Sequence, residues 1–332
     1  MKIFQIAIQA QGGGAEKVAL TLHNEFRREN DSWIAYLYSK LKVEFPNSIY
    51  LNLSRISPIS LFVGVIKLFR EVNRIKPDIT LIHCEPALVL ASLTPGLGKL
   101  FVVEHQPFYW RGLKGLIIKF ALLMLTLRGC KTIHLRKSRT TSHSPIFIPN
   151  PIELLSIPTK PVTFRRNFLI TWVGRLSHDK GFDRIPKILK LAQEKQIEIY
   201  GDGPLRQSVE FEGIRTNFYG FDPDVWKHLP NNSLLIITSR WEGDGLVILE
   251  ALVRQIPLLV INFEDIEELP LPPQSICRDE SEVSLKIREL RLGNLSPRNL
   301  INPSAFHQVT DSRNPREVSK KYLAAFKEVL ND

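Results

Sequence analysis

The sequence contains little cysteine and no pattern that would use it. Its 332 residues include three cysteines, Cys84, Cys130 and Cys277, which lie far apart and form no CxxC pair. An odd number of widely spaced cysteines argues against a disulfide framework and against a zinc site. We therefore expect reduced, buried thiols and no metal.

The sequence also lacks a long hydrophobic run. Its most apolar stretch, GLKGLIIKFALLMLTLRG at residues 112–129, has a central run that is too short to cross a bilayer, and no segment resembles a secretion signal. A hydrophobic content of 44% and a charged content of 23% are typical of a soluble globular protein. These features predict a cytoplasmic location, and the length suits two domains because single cores stop growing at roughly 250–300 residues.

Acidic residues are absent from one segment. Residues 105–152 contain no Asp or Glu but eight Lys+Arg, and the first 150 residues carry 20 Lys+Arg against 9 Asp+Glu. Residues 151–332 carry 24 against 25, so the first half holds the whole net charge of +10. Such a local field favours an anionic partner. Nucleic acid is not expected, because no recognised nucleic-acid-binding motif accompanies the charge.

The basic segment predicts contact with an anionic membrane surface through residues 105–140. Its apolar run is flanked by cations, which is typical of a helix that lies on a membrane. Phe108, Tyr109 and Trp110 would serve as interfacial anchors or stack on an acceptor. The alternative is a core helix of the first domain with a solvated basic rim.

Short apolar runs alternate with helical patterns along the whole chain, which predicts an α/β fold with parallel sheets. The alternation stops in residues 136–164, where five prolines crowd together with basic residues, and we interpret this segment as the interdomain linker. The predicted domains are residues 1–145 and 146–313. An amphipathic helix at 314–332 is expected to pack back on the first domain.

Three consecutive glycines follow the first predicted strand and precede a helix. The backbone amides of Gly13 and Gly14 could approach an anion at the helix N-terminus. The pattern fails as a dinucleotide fingerprint, because Lys17 stands where the third glycine should be. A tight turn without a ligand remains the alternative.

The second domain begins with WVGRLSHDKGFDRI, in which a strand ends at Gly174. Arg175 offers a planar fork and Lys180 a mobile point charge, and together they suit a diphosphate. Open α/β sheets bind their ligands at the carboxyl ends of the strands. The alternative is a solvated loop with ordinary surface charges.

Two carboxylates follow a later strand, in TSRWEGDGLVILEALV at residues 238–253. Glu242 is expected on a loop, and Glu250 in the second turn of a helix that begins near Gly245. A carboxylate can accept from both hydroxyls of a ribose, and the backbone amides from Gly243 to Leu246 could face a phosphate. For Glu250 alone, a partly exposed helix residue is the alternative.

An Asp-x-Asp pattern at Asp222 and Asp224 is typical of metal-dependent sugar transferases of a different fold. Here Pro223 separates the two acids. An N-cap at Asp222, with proline at the first helical position, explains the pattern without a metal.

Taken together, these motifs resemble the retaining glycosyltransferases of family 4, also called glycosyl transferases group 1. GGGAEKVALTLHNEF resembles the family's glycine loop and first helix, and IPNPIE its interdomain Pro-Asn. VGRLSHDKGFD, YGDGP, FYGF and SRWEGDGLVILEALV follow in family order. The last contains two glutamates separated by seven residues, which is the family signature. The resemblance implies a GT-B fold, with two Rossmann-like domains whose parallel sheets face a central cleft.

The resemblance also implies roles for individual residues. Arg175 and Lys180 would bind the diphosphate, Glu250 the ribose, and Glu242 the transferred sugar. His105 matches the histidine that the family places beside the donor sugar, although a buried structural histidine is the alternative. No cofactor or metal is implied, only a UDP- or GDP-sugar as the donor substrate.

We therefore expect a retaining hexosyltransferase at the inner face of the cytoplasmic membrane. It would act on a saccharide or glycolipid acceptor, of the lipid-linked or lipopolysaccharide type, in the synthesis of a surface polysaccharide. The alternative is a nucleotide-sugar-binding subunit without catalysis of its own.

Overall fold

The computed structural model describes residues 1–10, 12–38, 45–53, 58–105, 112–137, 145–153 and 166–331. The chain divides into two compact units. The first consists of Met1–Glu153 and Ser312–Asp332, and the second of Leu154–Asp311.

The first unit contains a parallel sheet of seven described strands. The strands are β1 (Lys2–Ala7), β2 (Asp31–Tyr36), β3 (Ser48–Tyr50), β4 (Ile79–Ile82), β5 (Lys99–Glu104), β6 (Lys131–His134) and β7 (Ile146–Phe147). Their order is β3-β2-β1-β4-β5-β6-β7. The helices are α1 (Gly14–Phe26), α2 (Pro58–Ile75), α3 (Glu85–Ser92), α4 (Gly112–Leu127) and, near the end of the chain, α10 (Pro315–Asn331).

The second unit repeats this architecture with six described strands. The strands are β8 (Leu169–Val173), β9 (Gln196–Tyr200), β10 (Arg215–Gly220), β11 (Ser233–Ile237), β12 (Leu258–Ile261) and β13 (Ile276–Cys277). Their order is β10-β9-β8-β11-β12-β13, and neighbouring strands are parallel. The helices are α5 (Ile185–Ala192), α6 (Val225–His228), α7 (Leu246–Val253), α8 (Glu280–Leu292) and α9 (Ala305–Arg313), which crosses the boundary between the units.

The central strands are apolar on both faces, as parallel sheets covered by helices require. All four residues of β4 and all five of β11 are buried. In the second unit, Trp172 on β8 packs edge-on against Phe182 with ring centroids 5.1 Å apart. The continuous apolar runs of the sequence therefore mark the buried strands correctly.

Helix α10 packs on α1 of the first unit. Phe26 on α1 meets Tyr322 and Phe326 on α10, with ring centroids 6.1 and 5.8 Å apart. Phe326 also lies 4.9 Å from Phe101 of β5. The apolar stripe of this helix is therefore buried against the first unit.

The boundary of the first unit follows Glu153 rather than residue 145. Strand β7 pairs with β6, so residues that we interpreted as linker form the edge of the first sheet. Ile148 and Ile152 are buried, and their backbone N–H groups donate to His134 O and Arg313 O. Apolar residues between the prolines bury enough surface to dock this segment. The chain returns to the first unit at Ser312, not at 314.

Candidate functional site

In the second unit, the loops that follow β8 and β11 meet at the carboxyl edge of the sheet. Thr238 Oγ1 donates to Lys180 O at 3.0 Å, and Arg184 donates to Thr238 O at 3.1 Å. Gly181 has φ = +66°, and a Cβ there would overlap Thr238 O. Only glycine allows the two backbones to approach this closely without strain.

A bidentate ion pair fastens the same two loops together. Arg240 donates to both carboxylate oxygens of Asp183, at 2.8 and 2.7 Å, and its backbone N–H donates to Asp179 O. The hydrogen bonds from Arg240 hold the pKa of Asp183 below its usual value. Planar fork-to-fork pairs fix geometry as well as distance, so the loop that carries Lys180 has a defined position.

Lys180 and Glu242 form an ion pair between these loops. Lys180 Nζ lies 2.7 Å from Glu242 Oε2, and Ser239 Oγ donates to Glu242 Oε1 at 2.6 Å. Glu242 is only 8% exposed, so its charge needs these partners. Both side chains line a cavity of about 20 Å³ beside Gly174 and Val247, which is space for about one water.

Helix α7 begins beside Glu242. Gly245 at its N-cap has the left-handed φ of +72°, and Gly243, Asp244 and Gly245 are buried. The first N–H groups of a helix have no acceptor within the helix, and its N-terminus carries a partial positive charge. The N-terminus of α7 therefore follows Glu242 closely in the sequence.

Glu250 is buried in the second turn of α7 and is 7% exposed. The indole N–H of Trp226 on α6 donates to Glu250 Oε2 at 3.0 Å. Arg254 donates to the backbone O of Glu250 and lies 5.0 Å from the centre of the Trp226 ring. The alternative of a partly exposed helix residue is therefore wrong, whereas the predicted place of Glu250 in the helix is confirmed.

Arg175 follows Gly174 at the end of β8, and its side chain is exposed. Two glycines of the YGDGP segment support this loop, because a Cβ on Gly201 would overlap Gly174 O and one on Gly203 would overlap Leu176 O. Arg175 is therefore presented from the same strand end as the loop that carries Lys180.

Asp222 does not cap α6. Its carboxylate accepts from the backbone N–H of Asp224 at 2.8 Å and contacts His228 Nδ1 at 2.6 Å. The N-cap is Asp224, because the turn at Asp222 and Pro223 delays the helix start to Val225. Within the described ranges, no group of three His, Cys, Asp or Glu side chains is arranged to hold a metal ion.

In the first unit, the glycine turn leads into α1. Gly13 is the N-cap and Gly14 the first helical residue, and neither has a positive φ in the left-handed region. A Cβ on Gly13 would lie 2.8 Å from Glu16 Oε2, so this glycine leaves room for the Glu16 carboxylate. The turn lies at the carboxyl end of β1.

His105 follows β5 at the same sheet edge and is half-buried. Its Nε2 lies 3.0 Å from Nδ1 of His83, which follows β4, and His83 Nε2 lies 2.8 Å from Gln5 Oε1 on β1. The two imidazole rings are stacked with centroids 5.3 Å apart. Burial, and then the neighbouring His105, hold the pKa of His83 well below its usual value.

The sequence did not reveal three residues that contact predicted site residues directly, Ser239, Trp226 and His83, nor Gln5, which contacts His83. Ser239 and Trp226 bind the two glutamates, and His83 and Gln5 form the chain that ends at His105. The position of His83 directly after a strand adjacent to that of His105 is a signal that the sequence contains. The contact of Trp226 with Glu250 has no comparable local signal.

The exposed side of helix α4 is largely apolar. A core helix with a solvated basic rim, the alternative considered from the sequence, would expose mainly charged side chains. The buried residues of α4 form a narrow seam of Gly115, Ile118, Ala121 and Leu125. Its outward residues, which we call the α4 apolar face, are Leu113, Leu116, Ile117, Phe120, Leu123 and Leu127. Phe108, Tyr109 and Trp110 lie outside the described residues.

Helix α2 is also exposed on an apolar side, and both α2 and α4 contact α3. Its exposed apolar residues are Ile59, Phe62, Val63, Ile66 and Phe69. Large contiguous apolar surfaces are uncommon on monomeric soluble proteins and mark interaction sites. Within the described part of the chain, no helix combines the length and apolarity needed to span a bilayer.

Comparison with known proteins agrees with this geometry. Residues 157–269, about a third of the chain, match the family model for Glycosyl transferases group 1. This range contains Arg175, Lys180, Glu242 and Glu250. The match therefore covers every site residue that we predicted in the second unit.

Two curated relatives resemble most of the chain. An uncharacterized glycosyltransferase of Haemophilus influenzae is 26% identical over 278 residues, which cover 75% of this chain and 77% of the relative. A Campylobacter jejuni enzyme is 23% identical over 283 residues, covering 77% and 78% of the two chains. That enzyme is an α-1,4-N-acetyl-D-galactosaminyltransferase whose name specifies a diphospho-undecaprenol-linked saccharide.

The solved structure of HepE from Anabaena, in complex with UDP and glucose, has the same fold. Its TM-score is 0.79 at 16% sequence identity, and the alignment covers 98% of this chain and 99% of HepE. The fold class is therefore that of the GT-B glycosyltransferase structures. The prediction of two Rossmann-like α/β domains with parallel sheets is confirmed.

Proposed function

We propose that this protein is a retaining, metal-independent glycosyltransferase that uses a nucleotide sugar as its donor. The observation that carries the proposal is the contact between Lys180 and Glu242 at the carboxyl edge of the second sheet, next to the N-terminus of α7. A cation, a helix N-terminus and two buried carboxylates match the anionic and the hydroxyl-bearing parts of a nucleotide sugar.

Each group has a proposed role in this reaction. Arg175 and Lys180 would bind the diphosphate together with the amides from Gly243 to Leu246, Glu250 would accept from the ribose hydroxyls, and Glu242 would accept from the transferred sugar. The donor we favour is a UDP-sugar, because the HepE structure contains UDP. In the first unit, His105 would contact a hydroxyl of the transferred sugar, and Gly13 and Gly14 would approach an anionic group.

The proposed chemistry retains the configuration of the anomeric carbon. The bond between this carbon and the diphosphate oxygen breaks, the acceptor oxygen bonds on the same face, and the acceptor proton passes to the leaving phosphate. The protein would contribute by stabilising the charge that develops on the diphosphate and by orienting both sugars. No protein nucleophile is required.

The test is donor turnover by the purified protein. Thermal-shift screening against UDP-, GDP- and ADP-sugars identifies the donor, because a ligand selective for the folded state raises apparent stability. Release of nucleotide is then measured with glycolipid or saccharide acceptors, and the anomeric configuration of the product is determined. Glu250→Gln is expected to weaken donor binding about tenfold, the effect of losing ~1.4 kcal/mol.

The outcomes separate enzyme from binding subunit. Donor binding without nucleotide release, with every acceptor extract, would favour a non-catalytic nucleotide-sugar-binding subunit. Product with inverted configuration would exclude the retaining mechanism. Full activity after removal of divalent cations with a chelator is the expected result for a metal-independent enzyme.

We also propose that the protein acts as a peripheral protein on the inner face of the cytoplasmic membrane, on a glycolipid acceptor. The α4 apolar face is continuous along the helix, and Lys114 and Lys119 are exposed beside it. Apolar side chains that enter the membrane interface and cations that are attracted to anionic headgroups both contribute to the binding of such a helix to a bilayer. The lipid-linked saccharide in the name of the Campylobacter jejuni relative supports an acceptor of this class.

The double substitution Leu116→Ser and Phe120→Ser is expected to reduce binding to vesicles that contain phosphatidylglycerol by at least about tenfold. The side chains are 68% and 59% exposed, and burying each in a bilayer contributes roughly 1.5–3 kcal/mol. Co-sedimentation with vesicles measures the effect. Leu292→Ser on α8 is the matched control, because Leu292 is 65% exposed in the second unit.

The proposed surface would be wrong if wild-type binding persisted at high salt and ignored anionic lipid. Surface electrostatic attraction is screened beyond about 8 Å at physiological ionic strength. Equal binding by the double variant and the Leu292→Ser control would also contradict it.

A further inference from the structure

Trp226 ties the end of the Glu250 side chain to a second helix. It is the second residue of α6, and its indole N–H donates to Glu250 Oε2 at 3.0 Å. An indole N–H can only donate and a carboxylate oxygen accepts, so this hydrogen bond has one possible direction. Hydrogen bonds to an ionised carboxylate are shorter and stronger than those between neutral groups.

Arg254 holds the same indole from the face of its ring. The guanidinium lies 5.0 Å from the centre of the Trp226 ring, and it donates to the backbone O of Glu250 at 2.9 Å. Burial lowers the pKa of Arg254, while the carboxylate of Glu250 raises it. A cation is attracted to the face of an indole ring. Trp226 is therefore fixed both at its N–H and on its face.

The short helix α6 is anchored by its surroundings. Helices of a single turn are not stable on their own. The hydroxyl of Tyr200 on β9 donates to His228 O at 3.4 Å, and Asp222 Oδ2 lies 2.6 Å from His228 Nδ1. Val225 is buried. The sheet and the turn before α6 therefore help to determine where the indole of Trp226 lies.

This arrangement restricts how the carboxylate of Glu250 can turn. The last torsion of a glutamate side chain has a broad energy minimum, so the carboxylate plane is not fixed by the rotamer alone. A hydrogen bond on Oε2 narrows that range. The two oxygens of a carboxylate offer about four lone-pair sites, so hydroxyl donors can bind beside the indole. A group that is oriented before binding loses less conformational entropy when its ligand arrives.

We propose that Trp226 is a positioning residue that orients the Glu250 carboxylate for ribose hydroxyls and so favours ribonucleotides over deoxyribonucleotides. The inference rests on the proposed function, in which Glu250 accepts from the ribose of the donor. The ribose is remote from the bond that breaks during transfer. Its contacts therefore stabilise the bound donor and the transition state alike, and their loss raises KM rather than lowering kcat.

The test is Trp226→Phe, which removes the indole N–H and keeps an aromatic face for Arg254. Calorimetric titration compares UDP with 2′-deoxy-UDP and 3′-deoxy-UDP, or GDP with its deoxy analogues if the donor is a GDP-sugar. Binding of the ribonucleotide is expected to weaken about fivefold, equivalent to ~1 kcal/mol, and binding of the deoxy analogues about twofold or less. KM for the donor should rise about fivefold, with kcat changed by less than about twofold.

Trp33→Phe is the matched control. Trp33 lies on β2 of the first unit, where its indole N–H donates to Asp31 Oδ1 at 2.8 Å and Arg74 lies 4.6 Å from the ring centre. The substitution therefore removes the same type of hydrogen bond beside the same type of cation contact. This variant should keep the wild-type affinity and the wild-type preference for the ribonucleotide. Thermal unfolding of both variants shows how much each substitution destabilises the protein.

Nuclear magnetic resonance tests the hydrogen bond without a ligand. The chain has five tryptophans, so the ¹H–¹⁵N spectrum of the indole groups is simple, and each Phe variant assigns one signal by its loss. Glu250→Gln replaces a charged acceptor with a neutral one. The indole proton of Trp226 is expected to move upfield in this variant, whereas that of Trp33 should stay in place. An unmoved Trp226 signal would overturn the inference.

Two results of the titrations would also overturn the inference. One is an unchanged preference for the ribonucleotide in Trp226→Phe, and the other is an equal loss of that preference in Trp33→Phe. Either result would leave the proposed function standing, because the wild type would still bind the nucleotide. Failure of the wild type to bind any nucleotide would contradict the proposed function, and the role of Trp226 with it.

Discussion

Lys180→Ala is expected to lower the rate of sugar transfer about 100-fold, a loss of roughly 2.7 kcal/mol of transition-state stabilisation. The departing diphosphate gains negative charge as its bond to the sugar breaks, and Lys180 supplies a mobile cation on a loop that Asp183 and Arg240 hold in place. Steady-state kinetics and calorimetric titration with the free nucleotide measure the rate and the affinity.

The matched control is Lys187→Ala. Lys187 is an exposed lysine of the same unit, and its Nζ lies 3.4 Å from Glu280 Oε2. Its substitution therefore also removes an ion pair, but one outside the candidate site. Exposed pairs contribute roughly 0–1 kcal/mol, and its transfer rate should stay at the wild-type value. Equal rates for Lys180→Ala and wild type would refute the role of Lys180.

A double variant separates binding from stability. In Lys180→Ala, the buried Glu242 carboxylate loses its cation, which is expected to cost about 1–3 kcal/mol of folding free energy. Adding Glu242→Gln removes the uncompensated charge, so unfolding should return toward the wild-type midpoint while transfer remains slow. Recovery of both stability and rate would mean that Lys180 and Glu242 have only structural roles.

Gly201→Ala is expected to destabilise the second unit by at least about 3 kcal/mol. Gly201 has φ = +142°, and a Cβ there would overlap the backbone O of Gly174. The obstacle is backbone rather than the end of a flexible side chain, so β8 and β9 would have to separate at their carboxyl ends. Urea unfolding measures the loss.

Gly213→Ala is the control for backbone strain. Its φ of +69° is also left-handed, but nothing lies within 4 Å of the position a Cβ would take. We expect it to cost roughly 1–2 kcal/mol, the price of a left-handed residue with a side chain. Similar unfolding midpoints for the two variants would show that the contact with Gly174 does not matter.

The sequence predicted the second unit well where the site residues lie close together along the chain. Glu242, Gly245 and Glu250 lie within one strand-loop-helix segment, so their places on loop, cap and helix follow from local pattern. Lys180 also lies at a strand end, and parallel strands bring such ends to one edge. Its 2.7 Å contact with Glu242 is the result of that topology.

Features that depend on distant parts of the chain could not be predicted in the same way. Trp226 reaches Glu250 from a different helix, and Gln5 reaches His83 from the neighbouring strand. The prolines around β7 favoured a linker, because proline signals a loop more strongly than the isoleucines between them signal burial. Tertiary packing decided each of these positions.

The return of α10 to the first unit makes the second unit an insertion within the sequence of the first. During synthesis, the ribosome therefore completes the second unit before it supplies the helix that covers Phe26 and Phe101. Until then the nascent first unit exposes aromatic surface. Its last folding step must wait until α10 has been synthesised, and a fragment that ends at Glu153 would keep this surface open to chaperones or to aggregation.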